Sequence, residues 1–364
     1  MDYLFRILDK AISLGATDIH LSYECKPSYR VSRKLIFDDF HEPVNEEKLY
    51  EIFEFFTCEN PSISDDFLKY KKVDFAYEYS NYRYRFNVST SFSKPVFSIR
   101  VIPAGYLDVD KLGLRQVVET IKKINSGLIL ITGKVNSGKT TTLNAYIQEV
   151  NKLYNKKIVT LEDPVEYIHK SDKCQIIQKE VGISSDISSI EEGLKNLYRE
   201  DSDICVIGEI RNREMLEFAI DIAESGGIAV GTMHTRSATE TIERIINMYD
   251  ISDQLYIRNT LSTVLKLIIS QKLLTDINNN LIVVPEIMLL NSVISAEMRS
   301  QKLNINEIND TIHASTAQGC MSFENAFTNL YINNKISNET LMENVDFEKM
   351  NLIKNLISRR GGNI

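Results

Sequence analysis

A chain of 364 residues has room for two ordinary domains, and 43% hydrophobic with 25% charged residues is normal for a globular protein. A formal net charge of −8 and a pI near 5.4 argue against a general nucleic-acid binder, which carries a basic footprint, though they still allow a local basic channel. The start, Met1-Asp2-Tyr3-Leu4, lacks the basic and apolar regions of a signal peptide, and no apolar run reaches membrane-spanning length.

From the N-terminus, Tyr3, Leu4, Ile7, Leu8, Ala11 and Leu14 recur at helical spacing, and Gly15 ends that helix. Thr17-Asp18-Ile19-His20-Leu21 alternates as a half-buried strand, with His20 read as a structural histidine. Residues 46 to 70 read as helical, with Leu49, Ile52, Phe53 and Phe56 on one side. A β-rich portion runs from Val73 to Ile102. In Tyr82-Arg83-Tyr84-Arg85-Phe86 the arginines share one face and the aromatics the other, and Arg100 opposes the apolar set of the next strand. Those arginines could clamp phosphate from outside the domain that follows; from the alternation alone, a solvated polar face is the simpler reading.

Pro103 and Gly105 interrupt the pattern, and its period changes from two to 3.6 afterwards. The expected division is an N-terminal domain over 1–102, a linker over 103–112 and a nucleotide domain over 113–364. Within the last, the pattern becomes mainly helical from about 252, with one strand candidate at Leu281–Val284. The longest apolar stretch read as helix, Leu261 to Leu274, is broken by Lys266, Ser270, Gln271 and Lys272. Cys25, Cys58, Cys174, Cys205 and Cys320 show no Cys-x-x-Cys spacing, so reduced, inert thiols are expected, with no disulfide framework and no zinc.

The middle of the chain carries the strongest signal. Gly133-Lys134-Val135-Asn136-Ser137-Gly138-Lys139-Thr140 fits the phosphate-binding P-loop pattern. The apolar run Leu128–Thr132 before it reads as a buried strand, and Thr141 to Val150 after it shows helical spacing. Strand, loop and helix aim backbone N–H groups and a helix N-terminus at phosphate. Gly133, Asn136, Ser137, Gly138, Lys139, Thr140 and Thr141 are the expected nucleotide-binding residues, with ATP and Mg²⁺ as ligands. Asn136 is unusual there, but asparagine tolerates positive φ.

Strand candidates then alternate with helices at Lys157–Leu161, Ile204–Ile207 and Ile228–Thr232, predicting a mostly parallel sheet with helices on its faces. Each leads into polar residues of catalytic type: Glu162-Asp163-Pro164, Gly208-Glu209-Ile210-Arg211 and Met233-His234-Thr235. Ligands of such sheets sit beyond the carboxyl ends of the strands. Either Glu162 or Glu209 would orient the attacking water as general base. Thr140 and Asp163 would organise Mg²⁺, with Glu209 holding it or its water, and His234 would stand at the γ-phosphate end. Phosphoryl transfer leans on positioning and charge, so added arginines are expected. If Arg83, Arg85 or Arg100 serve, they would reach a neighbouring subunit's site, which predicts a ring.

Taken together, these residues resemble the secretion-superfamily ATPases, most closely the type IV pilus retraction ATPases of the PilT family. Ala16 to Leu21, Arg83-Tyr84-Arg85-Phe86-Asn87 and Arg100-Val101-Ile102-Pro103 are similar to that family's N-terminal motifs. Thr160 to Glu166 resembles its Asp box, Arg199 to Arg211 its Walker B block, and Gly231 to Thr235 its His box. Gln271-Lys272-Leu273 and Gly319-Cys320-Met321 are similar to C-terminal motifs. The resemblance implies an α/β fold: a PAS-like N-terminal domain, a RecA-like core and a helical C-terminal region. It implies a homohexameric, Mg²⁺-dependent, cytoplasmic ATPase at the membrane face. Arg83, Arg85 and Arg100 would act at its nucleotide cleft, and hydrolysis would power pilus retraction through the inner-membrane platform protein, with the pilus assembly ATPase a further partner.

The chain departs from that family in three places. Lys134-Val135-Asn136 stands for its P-T-G, Gly227 occupies a usual histidine position, and Val293 to Ser300 keeps only Arg299 of a two-arginine motif. The alternatives are a pilus extension or type II secretion ATPase, an ATP-binding scaffold with little turnover, and a nucleic-acid translocase. The missing cysteine tetrad and short N-terminal region oppose the first, and the acidic balance opposes the last.

Overall fold

The computed structural model describes residues 2–31, 34–103, 107–181, 186–187, 189–197 and 199–361. They divide into two units: Met1–Tyr106 with Glu162–His169 and Gln178–Gly193, and Leu107–Leu161 with Lys170–Ile177 and Leu194–Ile364. The expected boundary at Ile102 to Gly105 falls partly on Ala104–Tyr106, outside the described residues.

In the smaller unit, helix α1 (Asp2–Leu14) precedes strands β1 (Asp18–Leu21), β2 (Ser28–Val31) and β3 (Lys34–Phe37). Helices α2 (Glu46–Glu59) and α3 (Pro61–Tyr70) follow, then β4 (Lys72–Tyr79), β5 (Tyr82–Ser91) and β6 (Lys94–Pro103). Gly15, at φ +61°, ends α1 in the left-handed conformation that glycine adopts freely. The helical stretch 46–70 splits because Asn60 closes α2 and caps α3, and Pro61 cannot continue a helix. The strands form an antiparallel sheet in the order β3-β2-β1-β6-β5-β4. Its core takes Leu4, Ile7 and Leu8 from α1, Phe53 and Phe56 from α2, and Tyr84, Phe86 and Val88 from β5. The period of two in Tyr82 to Phe86 therefore does place the aromatics of Tyr84 and Phe86 inward.

The remaining elements are α4 (Arg115–Ile121), β7 (Gly127–Thr132), α5 (Lys139–Leu153), β8 (Lys157–Glu162), β9 (Gln175–Glu180), α6 (Ile190–Leu197), β10 (Ile204–Ile207), α7 (Arg213–Glu224), β11 (Ile228–Met233), α8 (Ala238–Ile246) and α9 (Gln254–Val264). They continue as β12 (Leu265–Thr275), β13 (Leu281–Leu289), α10 (Ser292–Arg299), α11 (Ile305–Ala314), α12 (Phe323–Ile332), α13 (Asn338–Asn344) and α14 (Phe347–Arg359). The sheet order is β13-β12-β7-β11-β10-β8-β9, with β7, β8, β10 and β11 parallel. All four strands are buried, so they read as continuous apolar runs, as expected of an α/β core.

The stretch Leu261 to Leu274 corrects the reading as one helix. Helix α9 ends at Val264 and the chain turns directly into β12, which pairs parallel with β7 and antiparallel with β13. Periodicity misled because most of β12 is buried, which hides the alternation of a strand. The strand candidate Leu281–Val284 extends to Leu289 for the same reason. Among the described residues, no helix is long and apolar enough to cross a membrane.

Candidate functional site

Between β7 and α5 the chain makes a tight loop that only permissive residues can follow. Gly133, Asn136 and Gly138 hold positive φ, at 154°, 61° and 85°. A Cβ on Gly133 would lie 2.6 Å from the Gln271 carbonyl oxygen and 2.3 Å from Ser137 Oγ, so no side chain fits there. Asn136 takes the left-handed conformation that its short polar side chain permits. The first turn of α5 then begins at Lys139 with its N–H groups facing the loop.

The Lys139 ammonium lies 3.0 Å from the Gly133 carbonyl oxygen, 3.1 Å from that of Lys134 and 3.2 Å from His234 Nδ1. Among the described residues, Ser137 Oγ in the loop is buried without a hydrogen-bond partner. Gln271 of β12 braces both sides: its Nε2 donates to the Ser137 carbonyl at 2.7 Å, and its Oε1 accepts from Thr142 Oγ1 at 2.9 Å. An orphaned hydroxyl and a lysine at a helix N-terminus together suit a polyphosphate. Thr140 and Thr141 open the same helix beside Lys139.

Strand order brings two further residues to this end of the sheet. Glu209 follows β10 and His234 follows β11, the strand next to β7. His234 Nε2 lies 3.1 Å from Glu209 Oε1, and Glu209 Oε2 accepts from Arg211 at 2.9 Å. An ammonium has no lone pair, so Nδ1 accepts from Lys139 and Nε2 carries the ring proton toward Glu209. Lys139, His234, Glu209 and Arg211 thus form one continuous polar chain. Behind it Gly231 packs closely against Ile210, whose side chain would have to shift to admit a Cβ there.

Glu162 and Asp163 fall in the smaller unit. Glu162 is buried and accepts from Gln178 Nε2 at 3.1 Å, whereas Asp163, before a cis proline peptide, is exposed. Arg83 holds this segment: its Nε donates to the Val165 carbonyl at 2.6 Å, and its guanidinium reaches Glu180 at 2.9 Å and Glu78 at 3.1 Å. Glu180 in turn accepts from the Val165 N–H at 3.1 Å. Arg85 and Arg100 are register partners on β5 and β6 and have looser ion contacts, Arg85 with Asp74 at 3.8 Å and Arg100 with Asp18 at 3.5 Å. The three arginines therefore split into one clasped to its own chain and two half-exposed neighbours. Sequence reasoning gave no role to Gln178, Glu180 or the amide of Gln271; the Arg83 partner of Glu180 and the Ser137 and Thr142 partners of Gln271 lie far away along the chain.

The model of the Type II/IV secretion system protein family matches residues 71–347. The chain is 30% identical to the type IV pilus retraction ATPase PilT of Pseudomonas aeruginosa over 333 residues, 90% of this chain and 94% of that protein. It is 32% identical to a twitching motility protein of Neisseria gonorrhoeae over 261 residues, 71% of this chain and 69% of that protein. Among solved structures, a crystal structure of the pilus retraction motor PilT with bound ADP superposes with a TM-score of 0.82 at 30% identity, covering 95% of this chain and 98% of that one.

Proposed function

The chain belongs to the Type II/IV secretion system protein family, among its PilT-like retraction ATPases, and from that premise we propose how its residues cleave ATP and power the withdrawal of type IV pili. It is a nucleotide-binding ATPase and a motor of pilus retraction. The observation that carries the mechanism is the polar chain from Lys139 through His234 to Glu209 at adjacent strand ends.

In this reading the loop amides and Lys139 hold the β and γ phosphates, and Ser137 Oγ gains the partner it lacks. Thr140 and Glu209 would hold Mg²⁺, in part through water; when bound, the ion would supply charge neutralisation at the phosphates. Glu209 takes the proton of the attacking water, because it joins Lys139 through His234. His234 keeps Glu209 aimed and stands at the γ-phosphate end. Glu162, tied to Gln178, is the second candidate for the proton. Arg85 and Arg100 supply positive charge to a neighbouring subunit, in a homohexamer at the cytoplasmic face of the membrane. The partners would be the pilus platform protein and the assembly ATPase.

The test is phosphate release by the purified protein and its Glu209→Gln variant, with nucleotide binding measured alongside. Loss of a general base costs about 10²- to 10⁴-fold in turnover with binding retained; unchanged turnover would overturn the assignment. For direction of movement, deleting the gene should leave abundant, immobile pili, and loss of all pili would point to extension instead.

A further inference from the structure

One row across the larger unit's sheet breaks its apolar character. Glu286 on β13 pairs with Ser270 on β12, Ser270 pairs with Thr132 on β7, and Thr132 pairs with Met233 on β11. Glu286, Ser270 and Thr132 are all buried, and Thr132 directly precedes the phosphate loop. Burying a carboxylate and two hydroxyls costs free energy unless each finds a partner.

Here they do, and the partners converge on one place. Thr132 Oγ1 and Ser270 Oγ lie 2.8 Å apart. Thr132 Oγ1 lies 3.5 Å from Thr241 Oγ1 of α8. The Thr241 hydroxyl donates to the Ser237 carbonyl at 2.7 Å and meets the Thr235 hydroxyl at 2.6 Å. Glu286 Oε2 accepts from the N–H of Ala238, the first residue of α8, at 2.6 Å. A carboxylate at that end of a helix also meets the favourable end of its dipole. The four residues from His234 to Ser237 are thus pinned from both sides: β11 is tied to β7, and α8 is tied to β13 and β7.

We propose that Glu286 is a positioning residue for His234. It anchors the start of α8, and with Thr241 it sets where the turn carrying His234 stands relative to Lys139. The inference rests on the proposed role of His234 in turnover. No hydrogen bond among the described residues joins Glu286 to the loop or to His234, so its support for the histidine turn is separate from the grip on nucleotide.

The experiment is steady-state ATP hydrolysis by Glu286→Ala and Thr241→Val, each alone and combined with His234→Ala, together with binding of a fluorescent ADP analogue. An ångström-scale misplacement can cost up to about 10²-fold, so each single variant should lose roughly tenfold in kcat. ADP affinity should stay within about twofold, the pattern of an interaction made only during turnover. Each double variant should be no slower than His234→Ala alone, because the supporting residue acts through the histidine. Additive losses in the double variants, or ADP affinity falling in step with kcat, would overturn the proposal. If His234→Ala turns over like the parent, the reading of His234 itself fails, and Glu286 loses its role with it. Should Glu286→Ala fail to fold, Thr241→Val decides by the same criterion.

Discussion

The Lys139 ammonium sits 3.2 Å from Nδ1 of His234. The phosphate-loop lysine therefore has a partner in the histidine turn as well as in its own loop. The two ends of this contact should fail differently. Removing a charged hydrogen bond to phosphate costs about 1.5–3 kcal/mol, so Lys139→Ala should weaken ADP roughly 10- to 100-fold, read by titration with a fluorescent analogue. His234→Ala should leave that affinity nearly unchanged while kcat falls. Equal losses of affinity in the two variants would remove the distinction.

The arginines make a second prediction. Arg83 is committed to Val165 and Glu180 of its own chain, whereas Arg85 and Arg100 have only loose ion contacts. Arg85→Ala and Arg100→Ala should each lose on the order of 10³-fold in turnover if they neutralise the transition state. Mixed with an equally inactive Lys139→Ala protein, they should regain activity, since an intact loop from one chain would meet an intact arginine from another. Arg83→Ala should not be rescued this way; it should instead make the segment 162–169 more open to limited proteolysis. No recovery in any mixture would mean that Arg85 and Arg100 do not act across subunits.

Gly231 gives a stability prediction. Its missing Cβ leaves room for Ile210 Cδ1, which would otherwise lie 2.4 Å away. Gly231→Ala should destabilise by about 1–3 kcal/mol, as overpacked cores do, and lower the thermal midpoint by several degrees. Ile210→Val in the same background should recover part of the loss, and an unshifted midpoint in Gly231→Ala would show that the space is not needed.

A pH dependence follows from Glu286. Burial pushes its carboxyl up from 4.5 to about 7. Glu324 of α12, Lys349 of α14 and Lys272 of β12 also act on it, and Lys349 lies 2.7 Å from Glu324. A carboxyl raised in the folded state contributes stability that is full below about pH 4.5 and lost as pH rises through about 7. At about 1.4 kcal/mol per pKa unit, that window is worth at most on the order of 3 kcal/mol. The melting temperature of Glu286→Gln relative to the parent should therefore climb between pH 5 and pH 8. A difference that stays flat would mean that burial does not raise the carboxyl as described.

Legibility followed from how local each feature is. The phosphate loop was readable because its glycines, lysine and flanking strand are contiguous, and Asn136 adopts the backbone its chemistry allows. The parallel strands were readable as apolar runs between helices. The meeting of Glu209 with His234 was not, because it depends on β10 and β11 lying side by side, which no local pattern encodes. The clasp of Arg83 on Val165 joins residues 82 positions apart. β12 was hidden because its buried faces erased the alternation that marks a strand.

The Gln271 amide uses both its ends, giving a proton to the Ser137 carbonyl and taking one from Thr142. That makes the contact polarised, so a glutamate of the same shape would set lone pairs against the loop carbonyl. Through that one side chain β12, which also pairs with β13, is joined both to the phosphate loop and to the helix that follows it.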